Sequence, residues 1–435
     1  MVAVTLLSLA LVASACGDSN SNDDGDATGT TTAQSGPFAV PTANCPAEAT
    51  TELAAGAPIK LGVTLPQQGP LAAFDAIRVG LKIAFDKVNA AGGVDGHQIQ
   101  LIAKNDSYDP GLTDPAVAEL IDKEKIFASV GQVGTPNVAN TRIRHETSCT
   151  PQLAVNTGFP AWGDPANHPW TTGGILAYNT EATIWADFIA KAKPGAKVAQ
   201  LIFNNDFGKA YEKTFTEQAA KKGLKIVATE HHDATATNVK NQVATMLAAR
   251  PDYILGGTTS TFCSALMSEV AADTTFKGQT IISSTCASAA AFFVPIDPKG
   301  DGVMVLTSID DPSDPALAGD EDVKAYKADV AKYGAGANAN NTNIAAGWVT
   351  GHTAIEILKK AAASDDGLTR ASVMNAAWNL DYDAPLLFGP VKFDGTKDAY
   401  GVESLGFVKY SAASHSMKRT DDDFDLQGKT GVYKP

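Results

Sequence analysis

Basic residues are scarce in this sequence, and they form no stripe or cluster. The 435 residues contain 34 Lys and Arg against 48 Asp and Glu, which gives a formal net charge of −14. Residues 16–58 hold six acidic residues and no basic one. A nucleic-acid-binding surface needs a concentration of positive charge, so nucleic acid is not an expected partner.

Long hydrophobic runs are absent beyond the first 15 residues. A membrane-spanning helix needs roughly 18 or more predominantly apolar residues, and no later stretch approaches that length. A ligand-sensing ectodomain that is anchored by a later helix is therefore the weaker interpretation.

Familiar catalytic and metal-binding motifs are also missing. The sequence has no HExxH, no G-x-S-x-G and no P-loop lysine motif. His231, His232 and Asp233 are adjacent, but neighbouring residues of a strand point to opposite faces, which favours a solvated strand end over a metal site. We expect no metal, no cofactor and no enzymatic activity.

The N-terminal 15 residues form a short apolar run that ends in small residues. Such a run is too short to cross a bilayer and is typical of a signal peptide. Ala13-Ser14-Ala15-Cys16 resembles a bacterial lipobox, in which the Cys is acylated and becomes the mature N-terminus. The positive residues that normally precede the run are absent, which indicates a start upstream of Met1. An ordinary secretory signal with an incidental Cys is the alternative.

The segment after Cys16 is rich in Ser, Asn, Asp, Gly and Thr. Such a composition offers too little apolar surface to offset the entropy of ordering. We therefore predict that residues 16–58 comprise an acylated Cys16 and a disordered tether, which holds a globular domain outside the membrane.

Cysteine is rare, with five residues in all. If Cys16 carries lipid, four cysteines remain, and four can pair in three ways. Cys263 and Cys286 fall on consecutive βα units, which favours a bond between them and leaves Cys45 for Cys149. Disulfides suit an exported chain; buried free thiols are the alternative.

Residues 59–110 organise the predicted fold. Ile59 to Leu65 is a short apolar run that predicts a buried strand, and a Pro- and Gly-rich turn follows it. Apolar residues from Ile77 to Val88 recur at helical spacing, and Gly92-Gly93 ends that helix. His97 to Lys104 predicts a second strand. Strand, helix and strand in this order indicate a parallel sheet.

Polar and aromatic residues follow the first of these strands. Gln67, Gln68 and Phe74 lie between its carboxyl end and the first helical turn. In open α/β sheets, ligands bind at that edge. A solvated turn is the alternative for one such loop, but the same arrangement recurs later in the chain.

This stretch resembles a known family. G-V-T-L-P-x-x-G-P, an aromatic residue four positions later, N-A-A-G-G-V-x-G-x-x-I and Y-D-P are similar to the opening of type I solute-binding proteins. These are the extracytoplasmic receptors of ABC importers in the branched-chain amino acid, amide and urea group. The resemblance extends, more faintly, from about Ile59 to the C-terminus. It implies an α/β fold of two doubly wound, parallel-sheet lobes, joined by a three-strand hinge and closing over a solute.

The segment around Thr135 predicts an anion site. Thr at the cap and Pro136 at the first helical position indicate a helix start, whose free N–H groups and positive dipole end favour an anion. The resemblance implies that the Thr135 hydroxyl contacts a solute carboxylate, and that Asn156 and Thr157 add hydrogen bonds. A cap that serves only its own helix is the alternative.

The alternation of strands and helices restarts near Thr172 and predicts a second doubly wound lobe. Phe207, Thr258 and Thr285 follow strands of that lobe. The resemblance implies that Phe74 and Phe207 are aromatic walls of the site. It also implies that small hydroxyls, on the segments of Thr258 and Thr285, replace the Tyr and the Glu that assist and hold an ammonium group in the branched-chain amino acid receptors.

The lobes are predicted to be discontinuous in the chain. We assign residues 59–172 and 309–402 to lobe 1, and residues 173–308 and 403–435 to lobe 2. The three crossings are expected near residues 171–174, near residues 307–310 and just before residue 403.

The predicted protein is a lipid-anchored, extracytoplasmic monomer. It captures a small polar or carboxylate-bearing solute and delivers it to an ABC permease in the membrane. Without an anion to hold an ammonium group, an α-amino acid is expected to bind poorly, and an amine-free carboxylate or an amide is expected to bind well. A cleft enzyme, such as an amide hydrolase, and a sensor ectodomain are the alternatives.

Overall fold

The computed structural model describes residues 37–434, and they form two α/β lobes. The predicted signal peptide, Cys16 and the tether as far as residue 36 lie outside the described residues. The first part of lobe 1 consists of β1 (Ile59–Leu65), α1 (Asp75–Ala90), β2 (Ile99–Asn105), α2 (Pro110–Asp122), β3 (Ala128–Val130), α3 (Thr135–Ser148), β4 (Gln152–Val155) and β5 (Thr171–Gly173). Its five strands are parallel, in the order β2-β1-β3-β4-β5.

Lobe 2 repeats the alternation of strands and helices. It consists of α4 (Tyr178–Ala192), β6 (Lys197–Phe203), α5 (Asp206–Lys222), β7 (Lys225–His232), α6 (Lys240–Ala248), β8 (Tyr253–Gly257), α7 (Thr261–Ala272), β9 (Gln279–Ile282) and β10 (Met304–Thr307). These strands are parallel to their neighbours. Both lobes therefore have the doubly wound architecture that the sequence predicts.

The chain then returns to lobe 1 before it completes the sheet of lobe 2. The returning segment contains α8 (Glu321–Tyr333), α9 (Thr342–Ala362), α10 (Arg370–Trp378), β11 (Asp381–Tyr382) and β12 (Val391–Lys392). Helices α8 and α9 pack on α1. Strands β13 (Ser404–Ser411) and β14 (Ser416–Asp425) add to the sheet of lobe 2, in the order β14-β13-β10-β9-β8-β6-β7. They are antiparallel, unlike the rest of the sheet.

Two glycines let α1 and α9 approach closely. A Cβ atom at Gly80 would lie 2.1 Å from the Ile344 carbonyl oxygen, and one at Gly347 would lie 2.1 Å from the Ile77 carbonyl oxygen. Any larger residue at either position would force the helices apart, because the atoms that it would meet belong to the backbone and cannot move aside as a side chain can. The contact fixes the start of α9 beside the loop that follows β1.

The C-terminal tail corrects one predicted boundary. We predicted residues 403–435 in lobe 2, but the tail after β14 binds to lobe 1. The Tyr433 amide donates to the Gly163 carbonyl (2.7 Å) and the Ala399 amide donates to the Gly431 carbonyl (2.9 Å). Apolar contact of Val432 with the core accompanies these bonds. The tail therefore ends against lobe 1 rather than on the sheet of lobe 2.

The last part of the predicted tether is also corrected. Residues 37–58 pack against lobe 1, because the segment contains apolar residues among its polar ones. Val40 is buried, and its amide donates to the Asn375 side chain (2.8 Å). Phe38 packs on the Trp378 ring, with 5.8 Å between centroids. A tether, if present, ends before this segment.

The two predicted disulfides are confirmed. Cys45 is bonded to Cys149 and Cys263 to Cys286. The first bond joins the segment before β1 to the residue that follows α3. The second joins α7 to the turn after β9 in lobe 2.

Candidate functional site

A cavity lies between the lobes, at the carboxyl ends of the strands of both sheets. The space open to the centre of a water-sized sphere is about 110 Å³, well above the roughly 10–15 Å³ that one water needs. Lobe 1 contributes residues after β3 and β4, and lobe 2 contributes residues after β6, β8, β9 and β10. This is the edge at which open α/β sheets bind ligands.

Hydroxyl and amide groups supply the polar part of the wall, and among the described residues that line the cavity none is charged. The polar side chains are Thr135, Asn156, Thr157, Thr259, Ser284, Thr285, Ser288, Thr307, Ser308, Thr342 and Asn343, and the aromatic ones are Phe74, Tyr108, Tyr178 and Phe207. A solute here meets neutral hydrogen-bonding groups and apolar rings.

The N-terminus of α3 corrects the predicted cap. The capping residue is Gly134, with a φ of +104° that an L side chain would strain, and Thr135 is the first helical residue. The Thr135 hydroxyl does not cap its own helix. It lies 2.5 Å from the Thr157 hydroxyl instead. Because one of these two groups donates to the other, one hydroxyl hydrogen of the pair is left for a solute.

Asn156 is fixed beside this pair. Its amide N–H donates to the Gln132 carbonyl (2.7 Å), and its side-chain Nδ2 donates to the Thr350 hydroxyl on α9 (3.3 Å). The remaining N–H of the side chain is available to another acceptor. The lobe 1 side of the cavity therefore presents donors to a solute, and the Thr135 amide at the helix start adds one that has no acceptor within α3.

Tyr108 reaches the cavity from a constrained turn. Ser107 and Tyr108 both have left-handed backbone conformations, with φ of +50° and +61°. Two short contacts hold the turn: the Asp106 side chain accepts from the Tyr108 amide (2.9 Å) and from the Thr113 hydroxyl (3.1 Å). Burial raises the pKa of Asp106 to about 6. The Tyr108 ring stacks at 6.1 Å on Phe203 of the other lobe.

The lobe 2 wall is a turn of small hydroxyl residues that follows β9. The Ser283 hydroxyl donates to the Thr258 carbonyl (2.7 Å) and lies 2.7 Å from the Thr285 hydroxyl. Ser284 faces a carboxylate behind the wall: its amide and its hydroxyl both donate to Glu181, at 2.8 Å each.

Glu181 is fully buried on α4 and does not line the cavity. Besides Ser284, the Tyr211 hydroxyl donates to it (2.7 Å). Burial raises the pKa of Glu181 to about 8, although these hydrogen bonds oppose the rise. The group therefore carries a proton at neutral pH.

The raised pKa of Glu181 predicts that stability falls as the pH rises. An unfolded Glu has a pKa of about 4.5, so the folded state binds more protons between that value and 8, and folding becomes less favourable across this window. The slope from one such group is at most about 1.4 kcal/mol per pH unit. We expect urea unfolding from pH 6.5 to 8.5 to show a flatter dependence for Glu181→Gln than for the parent. Equal slopes would contradict the assignment.

Two threonine hydroxyls at the cavity have no partner. Thr259 Oγ1 in lobe 2 and Thr342 Oγ1 at the start of α9 are buried, and neither has a hydrogen-bond partner among the described residues. An unpaired buried hydroxyl costs roughly 1–3 kcal/mol. A bound solute or water that reached these groups would recover that energy.

Side-chain bonds join the lobes at the rim of the cavity. The Ser260 and Thr261 hydroxyls of lobe 2 both donate to the Pro70 carbonyl of lobe 1, at 2.8 and 3.2 Å. The Ser288 hydroxyl donates to the Asn341 side chain at 3.0 Å. Ser260 holds a φ of +56°, a strained conformation of the kind found at ligand clamps. These bonds hold the two lobes together at the rim of the cavity.

Six of the eight predicted ligand residues line this cavity: Phe74, Thr135, Asn156, Thr157, Phe207 and Thr285. Gln68 and Thr258 do not. Gln68 is exposed and donates to the Ser107 hydroxyl (3.2 Å). Thr258 is buried behind the wall, with its hydroxyl 2.7 Å from His232 Nε2. The neighbouring Thr259 lines the cavity in its place.

Sequence reasoning missed several lining residues, notably Tyr108, Tyr178 and Ser284. The Y-D-P motif contains Tyr108, so this residue carried a signal that we did not use. Tyr178 is the first residue of α4 and its hydroxyl donates to Thr157 (3.4 Å). Only the packing of the two lobes brings that contact about.

Neither a metal centre nor a membrane span is found among residues 37–434. No group of three His, Cys, Asp or Glu in this part of the chain could hold a metal ion. His231 pairs with Glu212 (3.0 Å), and His232 lies between the Phe203 and Phe262 rings. Over the same residues, no helix combines the length and the apolar character needed to cross a membrane.

The chain belongs to the periplasmic binding protein family, whose model matches residues 58–414. A curated relative, the Leu/Ile/Val-binding protein homolog 3 of Brucella melitensis, is 26% identical over 190 residues, which are 43% of this chain. The match spans only 50% of that relative. The family places its members outside the cytoplasm.

Solved structures share the fold. A fatty acid ABC transporter substrate-binding protein from Thermomonospora curvata aligns with a TM-score of 0.74 and 20% identity, over 87% of this chain and 96% of that one. A branched chain amino acid ABC transporter from Thermus thermophilus with bound valine aligns with a TM-score of 0.73 and 17% identity, over 86% and 97%. The fold is thus the two-lobed, type I architecture that the sequence predicts.

Proposed function

We propose that this protein is an extracytoplasmic solute receptor, which captures a small polar or carboxylate-bearing solute and delivers it to an ABC permease. The observation that carries the proposal is the cavity between the strand ends, to which both lobes contribute hydrogen-bonding groups. A solute held from both sides stabilises the closed arrangement, because it binds that state more tightly than the open one. Closure is then the signal that a permease can read.

The names of similar proteins support this proposal. One relative is called a Leu/Ile/Val-binding protein, and two structures are ABC transporter proteins that handle a fatty acid or hold valine. All are named for small organic molecules with a carboxylate. We extend that class to the present chain, acting as a monomer.

A hydrolase that works from the same cleft is the second candidate. One contact favours it: the Ser284 hydroxyl lies at the cavity and donates to Glu181, which could take up the serine proton once the pH exceeds its pKa of about 8. Turnover of amides by the parent protein, abolished in Glu181→Gln, would support the hydrolase. We expect candidate amides to be recovered intact by liquid chromatography after long incubation.

Native mass spectrometry tests the receptor proposal. Protein purified from its own host should show a mass excess that disappears under denaturing conditions, with one small molecule released per chain. Absence of any retained molecule, together with no binding in calorimetric titrations of carboxylates, amides and amino acids, would overturn the proposal.

The lipid anchor is a further part of the proposal. We expect the mature protein to begin at Cys16, to carry lipid and to sediment with membranes. Cys16→Ala should release the protein into the soluble fraction, since no helix among residues 37–434 could hold it. Immunoblots of membrane and soluble fractions check this, with Ser19→Ala as a control that changes a residue close to Cys16. Retention of the Cys16→Ala variant on membranes would mean that its signal peptide is not cleaved or that another anchor exists, and a mature parent protein without lipid on Cys16 would contradict the anchor.

A further inference from the structure

We propose that the solute lacks an ammonium group and is a carboxylate or an amide with an apolar body. This inference rests on the proposed function and narrows its solute class. It follows from the absence of charge on the wall, from the hydrogen bonds that already occupy the Glu181 carboxylate behind it, and from the donors at the lobe 1 end.

The wall of the cavity offers no anion. Its side chains are hydroxyls, amides and apolar groups, with no Asp or Glu among the described lining residues. Burying an ammonium without an anionic partner costs several kcal/mol, of order the effective penalty for one ion. The α3 N-terminus adds a positive dipole end to the same cavity, which disfavours a cation further.

The carboxylate that lies directly behind the lobe 2 wall already has hydrogen-bond partners. Glu181 lies behind Ser284 and accepts three hydrogen bonds, from the Ser284 amide, the Ser284 hydroxyl and the Tyr211 hydroxyl. Its fully buried position leaves no path to a solute without displacing Ser284. The raised pKa agrees with this geometry, since a protonated carboxyl does not attract a cation.

The donors at the lobe 1 end of the cavity can bind an acceptor group of the solute. The Thr135–Thr157 pair has one hydroxyl hydrogen to give, and the Asn156 side chain has one N–H that is not used by Thr350. The Thr135 amide, the first of α3, adds to these donors. A carboxylate or an amide carbonyl supplies the acceptor oxygens that such donors need.

Aromatic rings line the part of the cavity that would hold the body of the solute. Tyr178 meets Phe207 edge to face, with 5.0 Å between centroids, and Phe74 and Tyr108 complete the set of rings at the cavity. Rings of this kind favour apolar or aromatic bodies. The solute is thus polar at its lobe 1 end and apolar along its body.

Matched pairs of solutes test the inference by isothermal titration calorimetry. L-phenylalanine is compared with 3-phenylpropanoate, and L-leucine with 4-methylpentanoate, so that each pair differs only at the amine. 3-Phenylpropanamide is added to test an amide in place of the carboxylate. In at least one pair, we expect the amine-free compound to bind more than about tenfold more tightly than the amino acid. A tenfold ratio of affinities corresponds to a difference of roughly 1.4 kcal/mol in binding free energy. Tighter binding of either amino acid than of its counterpart would overturn the inference while leaving the receptor proposal intact.

A variant adds the missing anion. Thr285→Glu places a carboxylate at the lobe 2 wall and is expected to shift the affinity ratio toward the amino acid, whereas the matched Thr285→Gln is not. If none of these compounds binds the parent, the molecule released in native mass spectrometry tests the inference. A released molecule without a protonated amine supports the inference, whereas a released molecule with a protonated amine overturns it. Release of no molecule at all would defeat the receptor proposal, and this inference with it.

Discussion

Replacing Cys45 and Cys149 by alanine is expected to lower the free energy of unfolding by about 4 to 5 kcal/mol in the chain-entropy account of disulfides. The bond closes a loop with a sequence separation of 104 residues, so its removal frees many conformations of the unfolded chain. In the folded state the variant also loses the covalent hold on residues 37–58, which cover part of lobe 1.

The second disulfide provides the matched control. Cys263 and Cys286 are separated by only 23 residues, so the same account predicts a smaller loss of about 3 to 3.5 kcal/mol for their replacement by alanine. Denaturant unfolding of both double variants and of the parent measures the difference. A larger loss for the 263–286 pair would show that loop length is not what sets the contribution of these bonds.

Thr157→Val is expected to weaken solute binding by about 10- to 100-fold, since a lost hydrogen bond and an unpaired buried hydroxyl together cost roughly 1.4–2.8 kcal/mol. Thr157 lines the cavity and is the partner of the Thr135 hydroxyl. Valine keeps the shape but removes the hydroxyl, so Thr135 loses its partner and the cavity loses a polar group. Titration with the solute identified by mass spectrometry gives the affinity.

Thr258→Val is the control, because it makes the same substitution at a buried hydroxyl that lies behind the wall. Its partner is His232 rather than a solute, and we expect it to lower stability with little change in affinity. This variant also decides between the sequence prediction, which placed Thr258 in the ligand set, and the cavity, which does not include it. Equal losses of affinity in the two variants would favour the sequence prediction.

Local patterns in the sequence were sufficient to predict the strands and helices that form the scaffold of the fold. The apolar run from Ile59 to Leu65 matches β1 residue for residue, and Ile77, Leu81 and Ala84 are the buried face of α1. A buried parallel strand and an amphipathic helix have periodicities that few alternatives share. The Cys263–Cys286 pair followed from the same reasoning, since consecutive βα units are neighbours in space, and the Cys45–Cys149 pair was what remained once Cys16 was assigned to lipid.

Contacts between residues that are far apart in the sequence could not be predicted from local sequence patterns. Thr135-Pro136 reads as a cap and a first helical residue, yet Gly134 takes the cap because its φ of +104° suits glycine. This frees the Thr135 hydroxyl for Thr157, which lies 22 residues away in the chain. The C-terminal tail was misassigned for a similar reason: its partners, Gly163 and Ala399, are not signalled by its own composition.

The residues around the cavity also divide into those that sequence patterns predicted and those that depend on contacts between distant parts of the chain. The family resemblance implied that Asn156 and Thr157 contact a solute, and both residues, which follow a strand, line the cavity. Tyr178 was missed because it opens a helix of lobe 2 and reaches Thr157 only when the lobes meet. Glu181 was missed because a buried carboxylate on a helix has no local signature, and its role depends on Ser284, which is 103 residues distant.

Small-angle X-ray scattering with the solute recovered from the native protein tests the central claim that binding closes the two lobes over the cavity. We predict a smaller radius of gyration at saturation than in the solute-free protein. In the Ser260→Ala, Thr261→Ala variant, which loses both side-chain bonds to Pro70, higher solute concentrations should be needed for the same compaction. An unchanged scattering curve at a solute concentration that calorimetry shows to be saturating would contradict the account.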